Sequence, residues 1–184
     1  PGAWGSDCAL ETGPDGRPRV AGGAEEAAAS SEVASPRVYV YNLPPSFAEW
    51  YNGHTADRGI VSYLHSRLLY SPNRVADGER ADYFFIPIDA RRVGPGRSAG
   101  LRISEAVKYV KTYFPFYDAS HGANHMLVFV GDYGPRDHFT KVPDTIKPLM
   151  YLTHNGMKGF FSPGKDVCLP PIQSAGTGFD PPKI

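Results

Sequence analysis

The apolar residues of this chain are concentrated in short runs separated by polar, glycine-rich and proline-rich segments. Three runs are nearly continuous rather than alternating, at residues 38–41, 81–88 and 126–130. Unbroken runs of this length, rich in Val, Ile, Phe and Tyr, are typical of strands buried on both faces of a parallel sheet. Residues 149–153 and 166–169 indicate a fourth and a fifth strand.

Apolar residues at helical spacing separate these strands. They predict one helix that is capped by Asp57 and ends at Ser71, and a second helix over residues 101–114 that Pro115 stops. A strand–helix–strand–helix–strand order implies parallel strands joined by right-handed crossovers. The predicted fold is therefore α/β, a Rossmann-like open parallel sheet with helices on both faces.

Composition divides the chain into three regions. Residues 1–35 are rich in Gly, Pro, Ala and Glu and have almost nothing apolar to bury, which predicts a disordered or linker segment. Residues 36–172 hold the predicted strands and helices, and residues 173–184 have no periodicity and are predicted to be an unstructured tail. The sequence begins at Pro1, without a signal peptide or a membrane-spanning apolar run, so we expect a processed start or a fragment.

Charge and cysteine content exclude several function classes. Nineteen basic residues balance nineteen acidic ones, so the basic excess expected of a nucleic-acid partner is missing. His121 and His125 do not form an H-E-x-x-H motif, and no metal site is predicted. Cys8 and Cys168 form no C-x-x-C pair, and both a disulfide between them and two unpaired thiols stay open.

Polar side chains follow the predicted strands at their carboxyl ends. In open α/β sheets the carboxyl ends of the strands share one edge, and ligands bind there. We therefore expect a site at this rim, from the pattern alone. The residues at these positions are Asn42, Asp89, Arg91, Arg92, Asp132, Tyr133, His154 and Asn155.

Three of these features have a functional and a structural interpretation. Asp132 is suited to act as a base or to bind a sugar hydroxyl, and equally to cap an Asx turn. Arg91 and Arg92 are suited to clamp a diphosphate or carboxylate, or they belong to a solvated loop. Residues 94–100 spell G-x-G-x-x-x-G, which fits either a phosphate-binding loop or a flexible connection.

Four blocks of sequence, in this order, resemble the exostosin family of glycosyltransferases, family 47. They are V-Y-V-Y-N-L-P-P-S-F at 38–47, R-L-L-Y-S-P-N-R-V-A-D-G-E-R-A-D-Y-F-F-I-P-I at 67–88, G-A-N-H-M-L-V-F-V-G-D-Y-G-P at 122–135 and G-K-D-V-C-L-P-P-I at 164–172. One departure concerns the third block, where many plant members have a histidine before the acid. This chain has Gly131 there, so any role of that histidine is lost or moved.

The resemblance implies an inverting transferase of the two-domain GT-B type. Such an enzyme passes a sugar from a nucleotide-diphosphate donor, here a UDP-sugar, to a polysaccharide or glycoprotein glycan, with no bound cofactor or metal implied. This chain fits the N-terminal, acceptor-side half. The donor-binding half should begin near residue 172, so we expect this chain not to transfer sugar by itself. The family implies a lumenal Golgi location on a membrane anchor outside this chain, and a partner glycosyltransferase is compatible with it.

The resemblance also suggests roles for the rim residues. Asp132 or Asp89 is expected to act as the catalytic base toward the acceptor hydroxyl. The expected substrate-binding residues are Arg91, Arg92, Tyr133, His154 and Asn155. An alternative is a non-catalytic glycan- or partner-binding module of the same fold, in which Trp50 and Tyr51 stack on sugars or belong to the core. A further rival is an unrelated nucleotide-binding α/β enzyme that uses residues 94–100.

Overall fold

The computed structural model describes residues 11–12, 18–19, 35–47, 59–88 and 98–170. The chain separates into two compact units, Pro1–Ser35 and Pro36–Ile184. In the first unit, Glu11–Thr12 pairs antiparallel with Pro18–Arg19. The sheet, the helices and the candidate site described below belong to the second unit.

Six parallel strands form one open sheet in the second unit, which confirms the predicted Rossmann-like architecture. In chain order the strands are β1 (Val38–Val40), β2 (Arg74–Val75), β3 (Tyr83–Phe85), β4 (His125–Phe129), β5 (Met150–Thr153) and β6 (Val167–Cys168). Their spatial order is β2-β1-β3-β4-β5-β6, and every neighbouring pair is parallel. The two-residue edge strand β2 was not predicted, because its pairing depends on backbone hydrogen bonds to β1 rather than on an apolar run.

The described residues include three α-helices: α1 (Ile60–Leu69) between β1 and β2, and α2 (Ala99–Tyr113) and α3 (Phe116–Ser120) between β3 and β4. α2 begins where the Ser98 hydroxyl accepts a hydrogen bond from the Leu101 N–H at 3.4 Å. The residue at the N-cap of α1 is Gly59, and the predicted cap Asp57 lies outside the described residues. Among the described residues, no helix has both the length and the apolar character needed to cross a membrane.

The strand β4 shows why the apolar runs are continuous. Leu127 and Phe129 belong to an apolar cluster that includes residues of α2 and α3, whereas Val128 and Val130 belong to the cluster that includes residues of α1. Successive strand residues point to opposite faces of a sheet, so a strand covered by helices on both faces needs apolar residues at consecutive positions, as at residues 126–130 here. The helices therefore cover both faces, as predicted.

One polar group is buried inside the α2–α3 side of the core. His125 has no exposed surface, and its ring stacks on Phe84 with centroids 4.7 Å apart. Its Nδ1 lies 3.1 Å from the carbonyl oxygen of the Asn124 side chain, whose amide nitrogen donates to the Asp82 carbonyl. Nδ1 therefore carries the proton, and Nε2 accepts a 2.7 Å hydrogen bond from the Tyr41 hydroxyl. Both ring nitrogens of His125 are thus engaged within the core.

A second buried polar group holds the approach to β6. The Asp166 carboxylate has no exposed surface and accepts hydrogen bonds from the Tyr151 N–H at 2.9 Å and the Ser162 N–H at 2.7 Å. Its Oδ1 also lies 2.7 Å from Lys165 Nζ, which sits 4.0 Å from the centroid of the Tyr151 ring. These contacts fasten residues 162–166 to the start of β5.

Candidate functional site

The candidate site lies where β4 and β5 end side by side. Phe129 pairs with Thr153 in register, so the turns after these two strands leave the sheet at the same level. The two turns are joined directly, because the Asn155 side-chain amide donates to the Asp132 carbonyl at 3.0 Å. Four of the predicted rim residues are thus brought together: Asp132, Tyr133, His154 and Asn155.

The turn after β4 is fixed by a carboxylate that sequence reasoning missed. Residues Gly134–Asp137 form a single 3-10 turn, and the Asp137 carboxylate accepts a 3.0 Å hydrogen bond from the Tyr133 N–H. The acidic residue that binds this backbone N–H is therefore Asp137. The two interpretations of Asp132, as a base or as the cap of an Asx turn, stay predictions. The turn itself places Asp137 within reach, and a distance of four residues from Tyr133 was the only signal in the sequence.

Two glycines allow this turn to pack closely. A Cβ atom on Gly131 would overlap the Asp137 carboxylate, so the absence of a side chain there makes room for Asp137. Gly134 has a positive φ of 60°, and a Cβ atom there would lie 2.8 Å from Thr153 Oγ1.

Two side chains project outward from this turn. Tyr133 is 57% exposed, and the Arg136 guanidinium carbon lies 5.9 Å from the centroid of its ring. Residues three apart eclipse one another in a 3-10 turn, which explains this juxtaposition. Arg136 Nη1 also lies 3.8 Å from Met157 Sδ. Arg136 was not predicted, although its position three residues after an aromatic side chain was visible in the sequence.

His154 is oriented by the backbone. Its Nδ1 lies 3.0 Å from the Leu169 carbonyl, which can only accept, so Nδ1 carries the proton and donates. Its Nε2 then bears a lone pair, and it is buried without a hydrogen-bond partner within the described residues. The Leu169 N–H donates to the Thr153 carbonyl at 2.8 Å, so the segment after β6 is attached at two points to the end of β5.

The remaining predicted positions fall elsewhere. Asn42 follows β1 and is exposed. Cys168 in β6 is an exposed free thiol. In the ranges that the structure describes, no three His, Cys, Asp or Glu side chains are grouped to hold a metal ion. Predicted positions outside the described residues are Cys8, Trp50, Tyr51, Asp89, Arg91, Arg92 and residues 94–97 of the loop 94–100. The last two residues of that loop, Ala99 and Gly100, are the first two residues of α2.

Comparison with known proteins identifies the family to which this chain is similar. Residues 33–180 match the model of the exostosin GT47 domain. The chain is 32% identical over 117 residues to a probable glucuronoxylan glucuronosyltransferase of Arabidopsis thaliana, a match covering 55% of this chain and 24% of that protein. It is 26% identical to the probable glucuronosyltransferase 47 A of Physcomitrium patens, over 67% of this chain and 30% of that protein.

A third relative is named for a different activity, the transfer of xylose. The probable beta-1,4-xylosyltransferase IRX10 of Arabidopsis thaliana is 26% identical over 137 residues, or 66% of this chain and 32% of that protein. Across these three matches, the aligned region spans about a quarter to a third of the length of the curated relatives.

Proposed function

This chain belongs to the exostosin GT47 family, and on that basis we propose that it forms the acceptor-side, N-terminal half of an inverting GT-B glycosyltransferase. The enzyme transfers a sugar from a nucleotide-diphosphate donor, a UDP-sugar, to a polysaccharide or glycoprotein glycan. The relatives are named for glucuronosyl and xylosyl transfer, so these two sugars are the first donors to test.

The observation that carries this proposal is the rim at the ends of β4 and β5. An acid, an aromatic ring and an amide meet there, at the edge of an open parallel sheet where ligands bind. Asn155 and Asp137 both bind the peptide group that joins Asp132 to Tyr133, so the backbone from which the Asp132 side chain projects is fixed. Such preorganisation favours a role in positioning a substrate.

In this proposal Asp132 accepts the proton of the acceptor hydroxyl. The hydroxyl oxygen attacks the anomeric carbon of the donor sugar, and the bond from that carbon to the diphosphate breaks with its electron pair leaving on the diphosphate. The departing charge needs cationic or backbone support. Arg91 and Arg92 are proposed for that role, with Asp89 as the alternative acid, on their position after β3 alone.

The domain assignment and location are part of the same proposal. Residues 36–172 form the acceptor-side domain, residues 1–35 a linker, and residues 173–184 the start of the donor-binding half. The family resemblance favours the Golgi lumen, with a membrane anchor, and a partner glycosyltransferase where one is used, outside this chain.

The direct test is the Asp132→Asn substitution in the full-length protein. With UDP-glucuronic acid or UDP-xylose as donor, the turnover should fall roughly 100- to 10,000-fold, because removal of a general base has effects of this size. Asp118→Asn is the matched control, since Asp118 is an exposed acid on α3 that pairs with Lys111 at 3.6 Å. Near-normal turnover of Asp132→Asn would disprove the base assignment.

The division between acceptor and donor halves has a separate test. Calorimetry of the 184-residue chain with the same UDP-sugars should show no tight binding, whereas an oligosaccharide acceptor should bind. Tight binding of a UDP-sugar to this chain alone would contradict the acceptor-side assignment. Oligosaccharide binding by a full-length protein that transfers no sugar would support the binding-module alternative.

A further inference from the structure

We propose that Arg136, beside Tyr133, recognises the carboxylate of an acidic sugar residue in the acceptor glycan. This inference rests on the proposed function and specifies its substrate class: a glycan that carries uronic acid. Neither the sequence pattern nor the family resemblance had assigned a role to Arg136.

The first argument is that most of the hydrogen-bonding capacity of Arg136 is unused. The residue is exposed, and within the described part of the chain its guanidinium makes one hydrogen bond, a 3.8 Å contact to Met157 Sδ. A thioether is a weak acceptor, and a guanidinium has five N–H donors in a planar fork. The remaining donors match the two oxygens of a carboxylate, which arginine binds in bidentate fashion.

The second argument is that the guanidinium is held in place. The Tyr133 ring, 5.9 Å from Arg136 Cζ, and Met157 contact it from different parts of the chain. The backbone beneath it is fixed by hydrogen bonds to the Asp137 carboxylate and the Asn155 amide. A surface arginine usually loses considerable side-chain entropy on binding, and this one has lost part of it in advance.

The third argument concerns the kind of anion. Tyr133 places an exposed aromatic ring next to the cation, and the flat apolar face of a pyranose can pack on such a ring. A uronic acid combines a pyranose ring with a carboxylate on the same residue. The pair of side chains therefore matches one sugar unit, and its place at the rim beside Asp132 puts that unit on the acceptor side.

The neighbouring charges determine how this recognition must work. Asp132 and Asp137 belong to the same turn, so the local charge does not attract anions at long range. Binding must instead depend on short, directional hydrogen bonds from the guanidinium fork. Lysine lacks that fork, and we therefore expect Arg136→Lys to be nearly as defective as Arg136→Gln.

The test uses two matched ligands and the 184-residue chain. One ligand is a xylotetraose that carries a single glucuronic acid, and the other is the same oligosaccharide with the carboxyl group reduced to an alcohol. By calorimetry, the unmodified protein should bind the acidic ligand about tenfold more tightly, the value expected for a charge-assisted hydrogen bond. Arg136→Gln and Arg136→Lys should abolish this preference and leave binding of the neutral ligand unchanged.

The chain offers a matched control variant. Arg67 lies 5.2 Å from the ring centroid of Tyr63 on α1, so it forms the same type of pair away from the rim. Arg67→Gln should keep the tenfold preference. The thermal unfolding midpoints of the variants should match that of the unmodified protein, because both arginines lie at the surface.

The outcomes separate this inference from the proposed function. Equal binding of the two oligosaccharides by the unmodified protein, or a preference that survives Arg136→Gln, would overturn the inference and leave the acceptor-side assignment intact. Failure of both oligosaccharides to bind would overturn that assignment and the inference with it. In the full-length protein, a loss of UDP-sugar binding in Arg136→Gln, with binding of the oligosaccharides unaffected, would show that the anion is a phosphate of the donor and refute the uronate proposal.

Discussion

Acidification should destabilise the folded domain through the buried imidazole of His125. Burial lowers the pKa of His125 from its ordinary value of 6.5 to about 4 in the folded state. The neutral ring fits its surroundings, because Nδ1 donates to Asn124 and Nε2 accepts from the Tyr41 hydroxyl. Burial also raises the pKa of the Tyr41 hydroxyl, so Tyr41 stays protonated and remains the donor to Nε2 of the neutral ring.

The sign and size of the effect follow from linkage. Because the folded-state pKa is lower than the unfolded one, the unfolded chain binds more protons between these two values. The free energy of unfolding is therefore unaffected above about pH 6.5, falls as the pH drops toward about 4, and is insensitive to this group below that. At about 1.4 kcal/mol per pKa unit, the loss across the window is about 3 kcal/mol.

The assay is urea denaturation at a series of pH values between about 7 and about 4.5, which spans most of the window. The acid slope should largely disappear in His125→Gln, which cannot titrate, even though that variant is less stable at neutral pH. His121→Asn is the control, since His121 is exposed and its left-handed backbone, with φ of 50°, is one that asparagine tolerates. His65, whose pKa burial also lowers, adds a contribution of the same sign in both variants.

Two results would refute this reasoning. An unchanged acid slope in His125→Gln would show that other groups cause it. A His125 pKa near its ordinary value of 6.5, measured by NMR in the folded protein, would show that the buried site accommodates the imidazolium. The ion pair that lowers the pKa of Asp82 to about 2 acts in a more acidic window and does not interfere.

Two further substitutions test the contacts that shape the rim and the approach to β6. Gly131→Ala should lower the thermal unfolding midpoint, because the added Cβ atom forces the Asp137 carboxylate out of place. The same substitution should cost much less stability in a protein that already carries Asp137→Ala. Additive effects of the two substitutions in this double-mutant cycle would contradict the steric explanation. Asp166→Asn should destabilise the domain by roughly 3–5 kcal/mol in urea denaturation, because it breaks a buried ion pair that also accepts two backbone N–H groups. Asp144→Asn, at an exposed pair, should leave the midpoint unchanged, and an equal loss in both variants would contradict a special role for burial.

The sequence was sufficient to predict features that depend on periodicity. The continuous apolar run at 126–130 predicted β4, because a strand that helices cover on both faces of the sheet has apolar residues at consecutive positions. In the structure both faces of β4 are buried. The predicted parallel order of the strands also implied that the carboxyl ends of β4 and β5 lie at the same edge of the sheet. The hydrogen bond from Asn155 to Asp132 confirms that these two ends meet. Parallel pairing alone fixes that juxtaposition.

Features that depend on individual turns and distant partners were beyond the sequence. The role of Asp137 requires a 3-10 turn that folds its carboxylate back over Gly131, and no local propensity specifies that geometry. The short helix α3 follows directly on Pro115, which had been predicted only as a stop signal. The hydroxyl that donates to His125 Nε2 belongs to Tyr41, 84 residues earlier in the chain. The burial of this imidazole therefore depends on the tertiary structure and could not be predicted from local sequence.

The attachment of Leu169 to the end of β5 has a mechanical consequence. The chain leaves β6 after Cys168, and two hydrogen bonds then tie Leu169 to His154 and Thr153 at the end of β5. The first residue after β6 is therefore fixed at the edge of the sheet where the turns after β4 and β5 meet.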